Sequence, residues 1–287
     1  MIVDRICSLK KLILKIIESI VSYKATNPLL KDKISSIVFW RRSSHYTEST
    51  IFLPNNICGF GFTLSGDLLV KGKTGFQTMP AFGTRNTLKM PSEIRTSGVF
   101  LNISVRLRIP NGLSLFTKIP MNVIYEDEAT SLNDIFSNQE INNLVDLLIE
   151  TTTDNEKCRL LEIFLVSKLI NCQPQLFLEL ITKIHDSKGE CRVSQLATFF
   201  SVSERTIHRL SNKLVGVNPI NYINLIRFRN VMQLSSRTKA DLLSNTLDAG
   251  YYDQSHFIKQ FKTFSTFTPL QFLEINSFEK VSNFYNI

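Results

Sequence analysis

Residues 193–214 read V-S-Q-L-A-T-F-F-S-V-S-E-R-T-I-H-R-L-S-N-K-L, and this stretch decides the fold of the C-terminal part of the chain. Apolar residues recur at helical spacing on both sides of a polar break at residues 201–203. Ser203 is a natural N-cap for the helix that follows the break. Ala197 is small enough to let two helices cross closely. The stretch therefore predicts two short helices joined by a tight turn.

A second stretch, residues 249–269, has the same arrangement and reads A-G-Y-Y-D-Q-S-H-F-I-K-Q-F-K-T-F-S-T-F-T-P. The first helix of this pair is predicted to begin near Ala240. Gly250 is the residue type that ends a helix in the left-handed conformation, and Asp253 is a good N-cap for the next helix. The chain thus contains two predicted helix pairs.

The second helix of each pair has a polar outer face, as a helix-turn-helix unit needs for reading DNA. Arginine and lysine bind phosphates and guanine edges, and glutamine is a natural partner of adenine. The sequence therefore predicts double-stranded DNA as the partner of these faces. The candidate DNA-binding residues are Arg205, Thr206, His208, Arg209 and Lys213 on the first face, and Gln254, Ser255, Lys259 and Lys262 on the second.

Residues 193–272 resemble the DNA-binding domain of AraC/XylS-type transcriptional regulators. The resemblance rests on three motifs, at residues 196–210, at residues 218–229 (N-P-I-N-Y-I-N-L-I-R-F-R) and at residues 249–269. It implies an all-α, homeodomain-like domain with two helix-turn-helix units, whose recognition helices enter adjacent major grooves.

The same resemblance implies a role for the chain and for single residues. It implies a bacterial, cytoplasmic transcription regulator that recruits RNA polymerase. Base contacts are implied for six of the candidates, namely Arg205, His208, Arg209, Gln254, Ser255 and Lys259.

The sequence departs from the family pattern in three places. Ser201 stands where the first turn usually has glycine, and residues 265–267 lack a glycine that is common there. Asn245 and Thr246 replace an apolar residue and an alanine. A buried Asn245 without a hydrogen bond would cost about 1–3 kcal/mol. These departures predict that the second helix-turn-helix unit is less stable than the first. They leave open the alternative that the chain is an effector-dependent or protein-interaction module that binds DNA weakly.

The N-terminal half has a different pattern. Between residues 27 and 109, short apolar stretches such as residues 58–62 and 67–70 are separated by glycine and proline, which predicts short strands. Residues 99–109 alternate between apolar and polar side chains, so one face is buried and one is wet. The polar members are Asn102, Ser104, Arg106 and Arg108. Helical periodicity returns over residues 125–169.

The predicted fold class is α+β, with a β-rich N-terminal domain, trailing helices and an all-α C-terminal domain. Residues 1–24 carry an apolar stripe at helical spacing and predict an amphipathic helix. Residues 25–172 are the predicted β-rich domain. Within it, residues 27–169 resemble the sensor-type N-terminal domain of some regulators of this family, on the motifs N-P-L-L (27–30), I-V-F-W (37–40), F-L-P-N (52–55) and I-P-N-G-L-S-L-F (109–116). This resemblance implies ligand binding, homodimerisation or both. Residues 173–275 are the predicted DNA-binding domain, and residues 276–287 are a polar tail.

Composition excludes several other classes of protein. The net charge of +8 favours an acidic partner. The sequence contains no run of about 18 uncharged apolar residues, so we predict no transmembrane helix. The five scattered cysteines fit a reducing cytosol and no disulfide framework. No nucleophile elbow, H-E-x-x-H motif or Walker loop is present, so we predict no enzyme, no metal and no cofactor. An enzyme fused to a DNA-binding domain would need a titratable pocket in residues 27–125.

Overall fold

The computed structural model describes ten stretches of the chain. They are residues 18–42, 49–72, 74–85, 88–89, 91–108, 112–126, 129–170, 173–234, 250–251 and 253–274. The first part of the chain is rich in β-structure and the last part is helical, so the predicted α+β class is confirmed. Among these residues, no helix is long and apolar enough to cross a membrane.

Eight antiparallel strands in the described part form one sheet. They are β1 (Glu18–Tyr23), β2 (Ile34–Arg42), β3 (Thr50–Phe52), β4 (Ile57–Gly72), β5 (Gly75–Thr78), β6 (Phe82–Thr84), β7 (Ser92–Arg108) and β8 (Thr130–Ser131). The order across the sheet is β1-β2-β7-β4-β6-β8, with β3 paired to β7 and β5 paired to β4. β7 therefore lies at the centre of the sheet.

The long strand β4 is bent by a bulge. Its pairing with β7 shifts register between Thr63 and Asp67, and Gly66 in this segment has φ +67°. A Cβ added at Gly66 would lie 2.4 Å from a carbonyl oxygen of β7, so only glycine fits. A bulge bends its strand and increases the twist. The two stretches predicted as separate strands, residues 58–62 and 67–70, are consequently one bent strand.

The prediction of an amphipathic helix over residues 1–24 is wrong for residues 18–23, the part of it that forms a described element. Residues 1–17 lie outside the described part, but Glu18–Tyr23 form β1 and pair antiparallel with β2. Ile20 packs against an apolar cluster of the sheet. The β-branched Ile20 and Val21 also favour a strand. Pairing and packing at the sheet edge outweigh the helical stripe in this segment.

Three α-helices of the described part come after β7, namely α1 (Met121–Ile124), which precedes β8, then α2 (Asn138–Glu150) and α3 (Asp154–Lys168). α2 contacts β4. The buried carboxylate of Glu162 on α3 accepts hydrogen bonds from the amides of Thr26 at 2.6 Å and Asn27 at 2.8 Å. This contact fastens the segment between β1 and β2 to the helical layer.

Six helices make up the described C-terminal region. They are α4 (Gln175–Asp186), α5 (Val193–Phe199), α6 (Glu204–Leu214), α7 (Pro219–Leu234), α8 (Gln254–Ser265) and α9 (Pro269–Glu274). One apolar core continues from the sheet into these helices, and α1 contacts α6. The predicted boundary at residue 172 and the predicted tail at residues 276–287 fall outside the described residues and stay predictions.

Candidate functional site

The first helix pair forms as the sequence predicts. The Ser203 hydroxyl accepts a hydrogen bond from the Thr206 amide at 3.2 Å and caps α6. Ala197 on α5 and Ile207 on α6 are buried, and the two helices contact each other. The apolar side of α6 is thereby occupied, and its opposite side is left to solvent.

The solvent side of α6 carries three cations. Arg205, Arg209 and Lys213 follow at intervals of four residues, so they lie on the same side of the helix, and all three are exposed. Thr206 and His208 are half-buried. Thr206 Oγ1 lies 3.0 Å from the Ser203 hydroxyl, so Thr206 takes part in the cap. The structure brings the three cations together on one side of α6, and the DNA-binding role of Thr206 stays a prediction.

The second helix of the second predicted pair, α8, also begins as predicted. The Asp253 carboxylate accepts a hydrogen bond from the His256 amide at 2.7 Å. Phe257 and Phe261 have no exposed surface and fix the inner side of α8. The four candidate residues of this helix are all exposed, namely Gln254, Ser255, Lys259 and Lys262.

The supporting helix of the second pair cannot be compared with its prediction. Residues 235–249 lie outside the described part, and they include Asn245 and Thr246. Gly250, which ends this segment, has φ +73°, as its predicted role requires.

Arg227 on α7 is a residue that the sequence did not single out. Its buried guanidinium donates to the Gly189 carbonyl oxygen through Nε at 2.9 Å and Nη2 at 2.6 Å. The guanidinium carbon also lies 5.6 Å from the ring centre of Tyr251. Arg227 thus holds the turn before α5 and the turn before α8 against one helix. An arginine within an apolar helical stretch is the sequence signal for it.

A polar contact fixes α4 on α7 in the same region. His185 Nε2 lies 2.7 Å from the Tyr222 hydroxyl. Burial lowers the pKa of His185, and Arg229 acts in the same direction. Burial raises the pKa of Tyr222. Both groups are therefore uncharged near neutral pH, as a packed interface requires.

Two of the departures from the family pattern coincide with left-handed backbone. Ser201 has φ +53° and Thr266 has φ +68°. A side chain with a Cβ costs about 1–2 kcal/mol in this conformation. At both positions the backbone adopts the turn conformation that glycine would adopt, and the side chain makes this conformation strained.

We expect Ser201→Gly to raise the free energy of unfolding by about 1 kcal/mol, because glycine adopts this conformation without steric cost. Urea unfolding of the full chain, followed by circular dichroism, measures the change. Ser194→Gly, at an exposed position of α5, is the control and should lower stability by about 0.5 kcal/mol. A stability for Ser201→Gly at or below that of the parent would contradict the strain.

A cavity of about 190 Å³ lies against β4 and β7. Asn102, Ser104 and Arg106, from the polar face of β7, line it. Asn102 donates to the Thr63 hydroxyl at 3.1 Å and accepts from the Ser104 hydroxyl at 2.7 Å. The face of β7 that was predicted to meet water therefore forms a cavity wall, which the alternation of apolar and polar residues does not predict.

The cavity combines apolar walls with positive charge. Its apolar side chains include Trp40, Phe52, Phe60, Leu68, Met79 and Ile94. Two arginines, Arg85 and Arg106, line it, and no Asp or Glu occurs among the described lining residues. Burial lowers the pKa of Arg106 to about 10, so this group is still protonated at neutral pH. A small molecule with an apolar body and an anionic group fits this lining.

Cysteines and other metal-ligating groups do not form a site in the described part of the chain. Cys58 and Cys158 are buried thiols, and Cys191 is partly buried. Among the same residues, no three His, Cys, Asp or Glu side chains are grouped as a metal ion requires.

Comparison with known proteins adds to this geometry. Residues 196–275 match a family model described as a helix-turn-helix domain. An uncharacterised helix-turn-helix-type transcriptional regulator of Haemophilus influenzae is 24% identical over 93 residues, which are 32% of this chain and 31% of that protein. The match thus spans about a third of the relative's length.

Two solved structures are also similar. ToxT from Vibrio cholerae is 14% identical with a TM-score of 0.47, over 83% of this chain and 97% of its own. The AraC-like transcriptional activator CuxR is 14% identical with a TM-score of 0.31, over 81% of this chain and 84% of its own. Residues 196–275, which include the capped helices α6 and α8, thus match a helix-turn-helix domain of the AraC type.

Proposed function

We propose that this chain is a sequence-specific, DNA-binding transcription regulator of the AraC type. The observation that supports the proposal is the pair of capped helices, α6 and α8, whose solvent sides carry cations and hydrogen-bonding side chains. In this proposal, α6 and α8 enter adjacent major grooves of double-stranded DNA. The chain acts in the bacterial cytoplasm and recruits RNA polymerase.

The residues divide by the contact that each can make. In our proposal Arg209, near the middle of the exposed side of α6, reads a base edge, because arginine binds guanine in a bidentate manner. Lys213 lies one turn further and binds phosphate. Arg205 and His208 complete the first face. Gln254, Ser255 and Lys259 read bases from α8, with Lys262 on the backbone.

We expect Arg209→Ala to weaken binding to the correct site by about 1–3 kcal/mol and to relax the preference at one base pair. Lys213→Ala should weaken binding to all sequences to a similar extent, because a phosphate contact carries no base information. Fluorescence anisotropy on the DNA upstream of the protein's own gene, with a shuffled duplex beside it, measures both effects.

Two results would count against this assignment. Equal losses on both duplexes for Arg209→Ala would show that Arg209 does not read a base. Unchanged DNA-dependent activity in Arg209→Ala would favour the alternative, a module that acts through protein contacts. Circular dichroism of each variant checks that α6 still folds.

We also propose that a small effector regulates DNA binding from the cavity of the N-terminal region, with or without homodimerisation. An apolar cavity of about 150 Å³ accepts a benzene ring, so about 190 Å³ is enough for a ring with a short substituent. Arg85 and Arg106 favour an anionic group on that molecule. The proposed effector class is therefore a small apolar anion.

Trp40 provides the readout, because it lines the cavity and is the chain's single tryptophan. We expect benzoate to quench Trp40 emission with an affinity about tenfold or more above that of the uncharged benzyl alcohol, since charge-assisted hydrogen bonds favour the anion. Arg106→Gln should reduce the difference between the two probes, since Arg85 still lines the cavity. Equal quenching by both probes in the parent protein would refute the anionic class.

A further inference from the structure

Tyr125 lies where the cavity meets the first helix-turn-helix unit. Its ring packs against the turn after α6, since a Cβ added at Gly216 would lie 2.5 Å from Tyr125 Cδ2. Its hydroxyl is buried beside the Cys58 thiol and the Thr84 hydroxyl. The two ends of one side chain thus touch two different parts of the fold.

The end near the hydroxyl belongs to the cavity. Cys58 and Thr84 both line the cavity. Thr84 is 2% exposed, and neither its hydroxyl nor that of Tyr125 has a hydrogen bond of good geometry to the described residues. A buried hydroxyl without a good hydrogen bond lowers the stability of the fold. A change in the cavity that supplies or removes a hydrogen-bond partner can therefore move these two hydroxyls.

The end near the ring belongs to α6. The Gly216 amide donates to the Ser211 carbonyl at 3.0 Å, and the Ser211 hydroxyl donates to the Val217 carbonyl at 2.7 Å. The turn of residues 215–217 is therefore fastened to the last turns of α6. Gly216 has φ +85° and no side chain that could absorb a shift of the ring.

We propose that Tyr125 couples the state of the cavity to the position of α6, and so to DNA reading by Arg209 and its neighbours. This inference rests on the proposed function, which makes the cavity the effector site and α6 a reading helix. Tyr125 acts as a positioning residue and touches neither DNA nor the bases.

Close packing makes the coupling direct. The ring of Tyr125 fills the space beside Gly216, and packed interiors transmit a displacement instead of absorbing it. A displaced hydroxyl therefore moves the ring, the ring moves the turn, and the turn moves the end of α6. The coupling is reciprocal, so DNA bound at α6 must also change the cavity.

A cavity-filling variant tests the coupling without an effector. Gly61 lines the cavity, its φ is not left-handed, and an added Cβ would meet its nearest neighbours at ordinary distances of 3.6 and 3.7 Å. Gly61→Val therefore places methyl groups in the cavity without backbone strain. Thr78→Val, at an exposed position of β5, is the matched control. Tyr125→Phe keeps the ring and removes the hydroxyl.

Hydrogen–deuterium exchange on the full-length variants supplies the first measurement. We expect Gly61→Val to change exchange of peptides from residues 204–217 by about fivefold or more, in line with typical couplings. Peptides from residues 254–265 should change less. In the double variant with Tyr125→Phe the change at residues 204–217 should disappear, and Thr78→Val should cause none. Equal changes with and without the Tyr125 hydroxyl, or no change in Gly61→Val, would overturn the inference.

A DNA-binding measurement separates this inference from the proposed function. Anisotropy on the upstream duplex should show an altered affinity for Gly61→Val and a parental affinity for the double variant. If none of the proteins binds DNA while the exchange pattern is as expected, the coupling stands and the DNA-binding function fails. If all bind alike and exchange does not respond, the function stands and the coupling fails.

Discussion

Raising the salt concentration from 50 to 200 mM should weaken binding of the upstream duplex about 10-fold. Each phosphate neutralised by a protein cation contributes about −0.9 to the slope of log affinity against log salt, so the two proposed phosphate ligands, Lys213 and Lys262, give about −1.8. Both lysines are exposed on the outer faces of α6 and α8. Anisotropy titrations at four or more salt concentrations measure the slope.

Single variants assign parts of this slope. Lys213→Ala and Lys262→Ala should each make the slope less steep by about 0.9, whereas Lys31→Ala, at an exposed lysine of the N-terminal region, should leave it unchanged. A slope near zero in the parent protein would mean that these faces do not bind phosphates. A slope unaffected by both α6 and α8 variants would place the DNA elsewhere on the protein.

Gly189→Ala should lower the free energy of unfolding by about 3–5 kcal/mol and abolish specific DNA binding. Gly189 has φ +78°, and its added Cβ would lie 2.5 Å from the Ile223 carbonyl oxygen and 2.6 Å from the Arg227 amide nitrogen. Both atoms belong to the backbone of α7, which cannot move aside locally. The turn before α5 must separate from α7, and the reading helix α6 follows it.

Gly75→Ala is the matched control for this variant. Gly75 also has a left-handed φ, of +127°, but an added Cβ would have no heavy atom within 4 Å. Its cost should be about 1–2 kcal/mol, from the backbone alone. The difference between the two variants in urea unfolding isolates the clash with α7. Similar losses for both would show that the α4–α5 turn does not depend on close packing.

The described parts of the helix-turn-helix units could be predicted from sequence because their determinants are local. Ser203 and Asp253 cap the helices that follow them, and Pro219 begins α7, all within a few residues of the motif that predicted them. The exposure of the candidate DNA-binding residues follows from helical periodicity once Phe257 and Phe261 face inwards.

The N-terminal region was less predictable because its determinants are distant in sequence. β1 forms a strand because β2 pairs with it, about 20 residues away, and a helical stripe cannot reveal that pairing. The bulge at Gly66 depends on a close approach of β7. Arg106 and Asn102 lie on a polar face that water or a cavity could cover equally well, so alternation alone does not decide between them.

The contact between Tyr125 and Gly216 has a consequence for dividing the protein into fragments. Val215 and Val217 are 3% and 2% exposed in the whole chain. A fragment that starts at residue 173 lacks Tyr125 and Met121, which pack on the turn that contains these valines. The fragment would therefore expose an apolar surface, which includes these valines, at the C-terminal end of α6. The helix-turn-helix motifs are contiguous in sequence, but the stability of this region depends on contacts with residues before them. A longer fragment that retains residues 112–126 is therefore better suited to experiments on the isolated C-terminal region.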